Sequence, residues 1–516
     1  MDKVSVTYLG PPGTGKTQNN SNLVRNCIED GISPDKIANV SFTKRAATES
    51  QERVRRDWGL EKNDLPYFQT LHSMAFKAGG YKTSDVIAWK DLKAIGDHLG
   101  MAFSHPNKNA ETDLERFGMI TEGDKYLSLY NYSRSICKDY EEVFRLKGDY
   151  KLHGPVLDRL VKTYEGYKRT YQKIDFTDML EEFIAMDECP RIDALFVDEA
   201  QDLSTLQWKM VGVLRSSPSF QVFSGDDDQA IMSFAGADVG AFQRCTDDKK
   251  ILTQSYRIPR AVHDIAKSVS DRISGRLPKE WKPRSEQGFV FEHLDMESIP
   301  LEEGEWLLLA RTNRLVKRYG RMLEEQGLVY KDRYGVPSIA PKLFDAIVDW
   351  EAWIRGSRLL PSQIKGIYSY MKEGIGYREG FAPSKNVFSS LDSTVPLSLE
   401  EARLSLGLLA PREMWKFVLT KLDEETKQYI LSARRRGDNV KKPRITVSTI
   451  HSMKGAERDN VILVPELNWL SHKEYQVNPD TEHRVWYVGV TRAKQSLHIL
   501  NPPSNGPKQR TYTYPV

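Results

Sequence analysis

Hydrophobic and β-branched residues first gather near the N-terminus, where VSVTY (4–8) alternates apolar with polar positions. The chain then becomes glycine-rich from Gly10, and polar and amphipathic from Lys16 to Asp30. Alternation with period two reads as a strand and a period near 3.6 as a helix, so this stretch predicts strand, loop, helix. Two later apolar runs predict strands that also end in polar residues. IDALFVDEAQD holds a strand over 194–197 that ends on Asp198 and Glu199, and FQVFSGDDDQ holds one that ends on Asp226, Asp227 and Asp228 before Gln229. ITVSTI (445–450) predicts another strand downstream. Charged, helical stretches lie between, one over about 80–173 and a second over about 356–439. The fold class is α/β with two mainly helical inserts.

The first loop reads GPPGTGKT, that is Gly10, Pro11, Pro12, Gly13, Thr14, Gly15, Lys16 and Thr17. Its glycines let backbone N–H groups close around phosphates, and the helix that follows adds its positive end. Lys16 supplies a point charge for the β and γ phosphates of ATP, and the Thr17 hydroxyl suits Mg²⁺. A nucleotide triphosphate site needs a second half, and the pair at 198–199 provides it. Asp198 would hold Mg²⁺ through water, while Glu199 would polarise the attacking water. The acidic cluster at 226–228 is costly unless a cation or donors meet it. Gln229 suits a sensor of the γ-phosphate.

With 516 residues the chain exceeds a single core, and length alone suggests roughly three or four domains. Forty per cent apolar and 28 per cent charged residues describe an ordinary globular protein. No apolar run approaches the roughly 20 residues that cross a bilayer, and no leader pattern opens the chain, so the expectation is an intracellular, cytoplasmic protein with no membrane partner. Cys27, Cys137, Cys189 and Cys245 are scattered without zinc spacing and read as reduced thiols. The net charge of +3 balances 74 basic against 71 acidic residues, so any DNA path must be a local groove.

GPPGTGKT, VDEAQD and SGDDDQAIMSFAGA are followed by LTQSYR, STIHSMKGAERD and HRVWYVGVTRAK. In order and spacing these strings resemble superfamily-one helicases of the UvrD/Rep branch, in a compact, PcrA-like form. NVSFTKRAA, QTLHSMAF and IDFTDML fill the intervals, and the run from LLLARTNRL resembles the family's second motor domain. The resemblance implies two RecA-like P-loop motor domains. The first would comprise 1–79 and 174–250 around a helical insert at 80–173; the second would comprise 251–355 and 440–500 around a short accessory insert at 356–439, with a tail at 501–516. It implies ATP-driven, 3′-to-5′ movement on single-stranded DNA that unwinds duplex. The alternative is a DNA-stimulated ATPase that serves as motor subunit of a larger complex, motivated by the short second insert.

Position by position, Tyr256 resembles the tyrosine that stacks on adenine, and Arg257 and Arg492 the two arginines that reach the γ-phosphate from the second motor domain. Glu457 resembles the family's acidic contact to nucleotide. For DNA the resemblance points to Phe42 and Thr43, Thr70 and His72, Phe234, and Thr449 and His451. Hydroxyls and an imidazole can bond phosphates, and Phe234 offers a ring for a base; Phe42 is equally a core residue. The implied partners are single-stranded DNA, single/double-strand junctions, and replication, repair or defence proteins.

Two departures accompany the resemblance. Nine residues precede Gly10 and none is glutamine, so the adenine-reading segment of the family has no counterpart, Gln18 is the substitute, and tolerance of other nucleotides is expected. Met232, Phe234 and Ala235 stand where the family commonly offers an aromatic, tryptophan and arginine, which implies a weaker hold per base. Tyr126, Tyr130, Tyr132, Arg134 and Lys138 could line a groove or simply pack a helical insert. EGIGYRE (373–379) faintly resembles a duplex-contacting turn, the basic run at 433–444 is either a solvated hinge or a phosphate patch, and the tail from Asn501 reads as disordered without room for a nuclease domain.

Overall fold

The computed structural model describes residues 3–105, 121–147, 152–186, 190–388, 391–501 and 510–514. Cys189 lies outside them. The chain divides into two compact units: Met1–Gly288 with Lys473–Thr491 and Tyr514–Val516, and Phe289–His472 with Arg492–Thr513.

In the first unit the N-terminal alternation forms β1 (Val4–Leu9) and the amphipathic run forms α1 (Lys16–Glu29). β2 (Ile37–Ser41), β3 (Phe68–Thr70), β4 (Ala194–Asp198), β5 (Phe220–Gly225) and β6 (Asp248–Ile251) join β1 in a parallel sheet of order β3-β2-β4-β5-β1-β6. Successive side chains point to opposite faces. Leu195 and Val197 therefore share one core with Val40 and Phe223, while Ala194 and Phe196 share the other with Val6 and Val222. Every residue of β2 and β4 is buried, as expected of parallel strands covered by helices on both faces. Because all strands run the same way, their C-terminal ends deliver Gly10, Asp198 and Asp226 to one edge of the sheet.

The insert at 80–173 packs around its own core. The helices Trp89–Leu99, Glu122–Ser135 and Gly154–Tyr171 bury Leu92, Ile95, Tyr126, Tyr130, Leu160 and Tyr164. Tyr126 and Tyr130 are thus core residues, and Arg134 is spent on ion pairs to Asp175 (2.9 Å), Asp178 (2.6 Å) and Glu181 (2.6 Å). Lys168 joins the same carboxylates at 3.0 Å and 2.8 Å. This buried network locks the insert to the helix Phe176–Met186, which leads back to the sheet.

The second unit repeats the parallel plan. β7 (Phe289–His293), β8 (Trp306–Ala310), β9 (Tyr330–Lys331), β10 (Ile445–Thr449), β11 (Arg458–Leu463) and β13 (Ala493–Leu500) order as β7-β13-β11-β8-β10-β9. The accessory insert packs Trp350, Trp353, Tyr368, Tyr377 and Trp415 into a separate core. Tyr377, within EGIGYRE, stacks on Tyr368 with ring centroids 4.9 Å apart. The basic run is a set of ion pairs: Arg434 to Glu351 (2.6 Å), Lys441 to Asp345 (2.8 Å) and Arg444 to Asp438 (3.2 Å).

The segment 251–288, expected with the second motor domain, stays with the first unit, and so does the helix Pro479–Val490. Lys279 of the segment reaches the buried aspartates at the end of β5, and Arg484 of the helix donates to the Asp227 carbonyl at 2.9 Å. The tail is ordered where it is described. Arg510–Thr511 forms β14, antiparallel to β12 (Glu466–Leu467), and Tyr512 is buried with its N–H on the Pro465 carbonyl at 2.8 Å. Alternating threonine and tyrosine in RTYTY suits a pleated edge. No helix among the described residues is long and apolar enough to cross a membrane.

Removing one partner from a buried ion network leaves the others uncompensated, a cost of about 3–5 kcal/mol. Arg134→Met is therefore expected to lower the melting midpoint markedly, whereas Lys138→Met, a few residues on in an exposed i,i+4 pair, should leave it unchanged.

Candidate nucleotide site and strand-gripping residues

The loop between β1 and α1 takes the shape its glycines permit. Gly13 and Gly15 have φ of 73° and 82°, in the left-handed region that side chains avoid. A Cβ on Gly13 would stand 2.4 Å from the Arg257 Cβ, so the loop and the SYR segment touch because glycine is there. Tyr256 donates its N–H to the Gly13 carbonyl at 2.9 Å, and Ser255 donates its hydroxyl to the Pro12 carbonyl at 2.8 Å. The Lys16 ammonium donates to the Gly10 carbonyl at 2.7 Å, so its charge folds back over the loop. The Thr14 hydroxyl donates to the Pro11 carbonyl at 2.7 Å. Gly15 is the N-cap of α1 and offers no side-chain acceptor to the helix's first N–H groups.

Asp198 ends β4 as a buried carboxylate. Burial, reinforced by the neighbouring Glu199 charge, pushes its pKa up to about 7. A carboxylate raised in this way, beside the hydroxyl-bearing first turn of α1, fits a hard divalent cation, which would favour its ionised form. Glu199 follows with φ of 50°, a strained conformation for a residue with a Cβ, and one met at functional sites. Its carboxylate accepts from the Gln201 amide at 2.6 Å. Gln201 in turn accepts the Asp226 N–H at 3.1 Å, which ties the end of β4 to the end of β5.

The three aspartates after β5 are fully buried, and the donors that the sequence demanded are present. Lys279 places its ammonium 3.1 Å from Asp226 and 3.0 Å from Asp228, and also bonds Asp227. The Arg276 Nε donates to Asp228 at 2.9 Å, the Leu277 N–H to Asp227 at 2.7 Å, and the Gln243 amide to Asp227 at 2.9 Å. The cluster is thereby an anchor for the segment 255–288. Gln229 hangs from it, its amide donating to Asp226 at 2.6 Å. Five residues on, Phe234 is 49% exposed on the turn Ser233–Ala235, so it is a surface ring and not core.

Each unit also carries the same short string at a strand end, TLHSM at 70–74 and TIHSM at 449–453. Thr70 accepts the Ser73 N–H at 3.2 Å at the end of β3, and Thr449 accepts the Ser452 N–H at 3.3 Å at the end of β10. The His451 pKa is pushed down to about 3 by burial and by Arg311 and Lys454, so the ring is neutral at physiological pH. His72 packs edge-on against Phe176. Thr43 caps α2 (Lys44–Trp58), accepting the Ala46 N–H at 3.2 Å, and Phe42 is half-buried against the first unit's core.

Of the sequence-derived set, the first unit brings together the loop 10–17, Asp198, Glu199, Gln229, Tyr256 and Arg257. Arg257 was expected from the second motor domain, but the contacts of Ser255 and Tyr256 hold its segment on the loop of the first. Glu457 and Arg492 belong to the second unit, where buried Arg492 donates to the Ala456 carbonyl at 3.2 Å. Gln18 is engaged by Asn22 and Arg53, each at 3.0 Å, and is poorly suited to read a base. Sequence reasoning missed Gln201, Ser255 and Lys279. Gln201 and Ser255 lie inside VDEAQD and LTQSYR, whereas nothing local to LPKEW distinguishes Lys279 from a surface lysine.

Residues 4–250 match the UvrD/REP helicase N-terminal domain, and 391–501 match the UvrD-like helicase C-terminal domain. The chain belongs to the UvrD/Rep family of helicases. Among this family, a probable DNA helicase II homolog of Mycoplasma pneumoniae is 22% identical, over 96% of this chain and 82% of that protein. The ATP-dependent DNA helicase PcrA of Staphylococcus aureus is 23% identical over 62% of this chain, and a putative ATP-dependent DNA helicase, YjcD of Bacillus subtilis, 26% over 52%. The chain spans less than half the length of these last two, 44% and 37%. A solved structure, that of PRRSV helicase, aligns over 99% of this chain and 55% of its own at 10% identity, with a TM-score of 0.34, too low to bear on the fold. As a UvrD/Rep member the chain is an ATP-hydrolysing helicase motor with two parallel-sheet domains.

The raised pKa of Asp198 gives a signed prediction. Its folded value lies above its unfolded one, so the folded state binds the extra proton and stability falls as pH rises from about 4 toward 7. Asp198→Asn removes that loss. In nucleotide-free protein without divalent cation, the variant should be more stable than the parent at pH 8 by at least about 1 kcal/mol and should gain nothing near pH 4, as urea titrations at the two pH values would read.

Proposed function

We propose that this UvrD/Rep chain uses ATP with Mg²⁺ to move 3′ to 5′ along single-stranded DNA and to separate duplex ahead of it. The observation that carries the reading is a single short loop. Gln229 is held at the end of β5 by Asp226, one hydrogen bond from Gln201 and two from Glu199, and Phe234 stands exposed five residues on. A change felt at the nucleotide edge of the sheet thus has a short path to a ring that can stack on a base.

In this reading the first-turn N–H groups of α1 and the Lys16 ammonium bind the β and γ phosphates, and Tyr256, whose ring is 74% exposed beside Gly13, stacks on the base. Thr17 and Asp198 hold Mg²⁺, which offsets phosphate charge. Glu199 orients and deprotonates the attacking water, its direction set by the left-handed backbone and the Gln201 amide. Arg257, and Arg492 of the second unit, stabilise charge that spreads over the γ-phosphate. On DNA, Thr70 and Thr449 present their strand-end turns to phosphates, joined by Thr43, His72 and His451, with Phe42 lending its edge. His451, being neutral, acts as a hydrogen-bonding group and not as an ion.

A second reading, a DNA-stimulated ATPase that unwinds little by itself, is favoured by Tyr377. The aromatic of the segment that resembled a duplex-contacting turn is buried on Tyr368. Partial duplexes with a 3′ or a 5′ tail separate the readings. Unwinding of the 3′-tailed substrate alone supports the first, ATP turnover stimulated by single strands without unwinding supports the second, and turnover indifferent to DNA removes both.

Two variants test the residue roles. Glu199→Gln keeps the Gln201 partner and should bind ATP and DNA yet hydrolyse at least about a hundredfold more slowly; turnover near the parent's in a steady-state phosphate assay would refute the base assignment. Phe234→Ala removes an exposed ring, so its melting midpoint should match the parent's. It should lose about 1–3 kcal/mol of single-strand binding and more unwinding than DNA-free hydrolysis.

A further inference from the structure

The outer strands of the two sheets differ in how they meet solvent. β6 closes one side of the first sheet with Asp248, Lys249, Lys250 and Ile251, and lysines on an edge discourage pairing with another chain. β7 closes one side of the second sheet with Phe289, Val290, Phe291, Glu292 and His293, and holds neither lysine nor proline. Parallel strands are normally covered on both faces, as are β8 and β10, whose residues are all buried. No residue of β7 is buried. Phe289 is 61% and Phe291 43% exposed, and Leu294 follows as a further exposed apolar side chain. An apolar edge left open in this way marks a contact surface.

In a parallel ladder alternate residues of a strand turn both backbone groups to the same neighbour. β7 pairs with β13 with Phe291 opposite His498, and the His293 carbonyl accepts the Asn501 N–H at 2.7 Å. Phe289, Phe291 and His293 therefore turn their backbone groups toward β13. Val290 and Glu292 present theirs to the open side, where no backbone group among the described residues meets them. Side chains alternate as well, so the two phenylalanines occupy one face of the strand and Glu292 the other. The rings are held in place. Phe289 stacks on Phe291 with centroids 5.9 Å apart and planes 14° from parallel, and Phe291 lies 4.9 Å from the His498 ring.

Charge narrows what can add to this edge. From Phe289 to Trp306 the chain carries six carboxylates and neither lysine nor arginine. Glu292 on the strand and Glu297 just beyond it are exposed, and neither forms an ion pair among the described residues. A nucleic acid or an anionic membrane would be repelled, and a second copy of β7 would set these carboxylates against their own kind. We propose that β7 is a docking edge for an extended segment of a partner protein, one in which apolar residues alternate with lysine or arginine. The segment adds as a further strand, bonding the backbone of Val290 and Glu292. Its apolar side chains lie on Phe289 and Phe291 and its cations meet Glu292 on the opposite face. The nucleotide and DNA residues take no part, so this surface would connect the motor to another protein without occupying its working sites.

The test uses the whole chain and a fluorescein-labelled, acetylated and amidated peptide of about eight residues that alternates valine with lysine, read by fluorescence anisotropy. A peptide of the same composition with its valines and lysines in separate blocks keeps the charge and loses the alternation, and a valine–glutamate peptide reverses the charge. The parent should bind the alternating valine–lysine peptide in preference to both. Val290→Pro removes an outward N–H and spares the ladder to β13, so it should weaken that binding at least about tenfold. Phe289→Ser tests the aromatic face without touching the backbone and should weaken it as well, and Glu292→Lys should do so about fivefold. A melting curve for each variant confirms the fold. Equal binding of the block peptide, or parent-like binding by both Val290→Pro and Phe289→Ser, means adsorption by charge alone and overturns the assignment. Equal binding of the valine–glutamate peptide overturns the choice of a basic partner. Sedimentation that finds the parent dimeric and Val290→Pro monomeric overturns it in favour of a second copy, and a parent that binds none of the peptides overturns it outright.

Discussion

Asp226, Asp227 and Asp228 reach the interior with no exposed surface, and buried carboxylates persist only where cations and donors meet them. Lys279 and Arg276 answer that demand, and they lie about fifty residues downstream of the strand that carries the acids. The electrostatic requirement thus folds the segment 255–288 back onto the first sheet. With it come Ser255 and Tyr256, which bond the glycine loop, and Arg257, which that loop accommodates only because Gly13 has no Cβ. One charge cluster accounts for the position of several nucleotide-site residues and for the boundary between the units.

The other contributions come from parallel strands ending at a common edge. β4 and β5 are neighbours, so a single glutamine, Gln201, can bridge Glu199 and the Asp226 backbone. A Cβ on Gly225 would stand 2.3 Å from the Gln201 side-chain oxygen, which shows how closely the two strand ends approach. Among the described residues Cys137, Gln172 and Glu199 are the non-glycine positions with positive φ, and of these Glu199 is the one at the end of a sheet strand. The Gln229 loop is tied to Asp226 at one end and carries the half-exposed Phe234 at the other.

The second unit uses the same sheet plan for different chemistry. Its strand-end turn at Thr449 repeats the hydroxyl geometry of Thr70, within 0.1 Å in the Ser N–H contact, on a sheet whose strand order is otherwise its own. Its switch point between β8 and β11 is lined by cations where the first unit's crevice is lined by glycines and carboxylates.

Patterns local in the chain were legible in the sequence. Strand alternation, the glycine loop, the acidic strand ends and the motif strings determined the α/β class and the family, and singled out Lys16, Asp198, Glu199 and Gln229 as candidates, because each depends on neighbours within a few positions. What depends on distant partners was decided by the tertiary structure. Lys279 looks like any surface lysine until three aspartates surround it, and Tyr126, Tyr130 and Arg134 look like a basic aromatic groove until a helical core and Asp175 claim them. The tail 510–514 reads as disordered until β12 offers an edge to pair with. Burial and long-range ion pairing are properties of the packed molecule, and a one-dimensional pattern contains the groups that need partners without naming which partners they find.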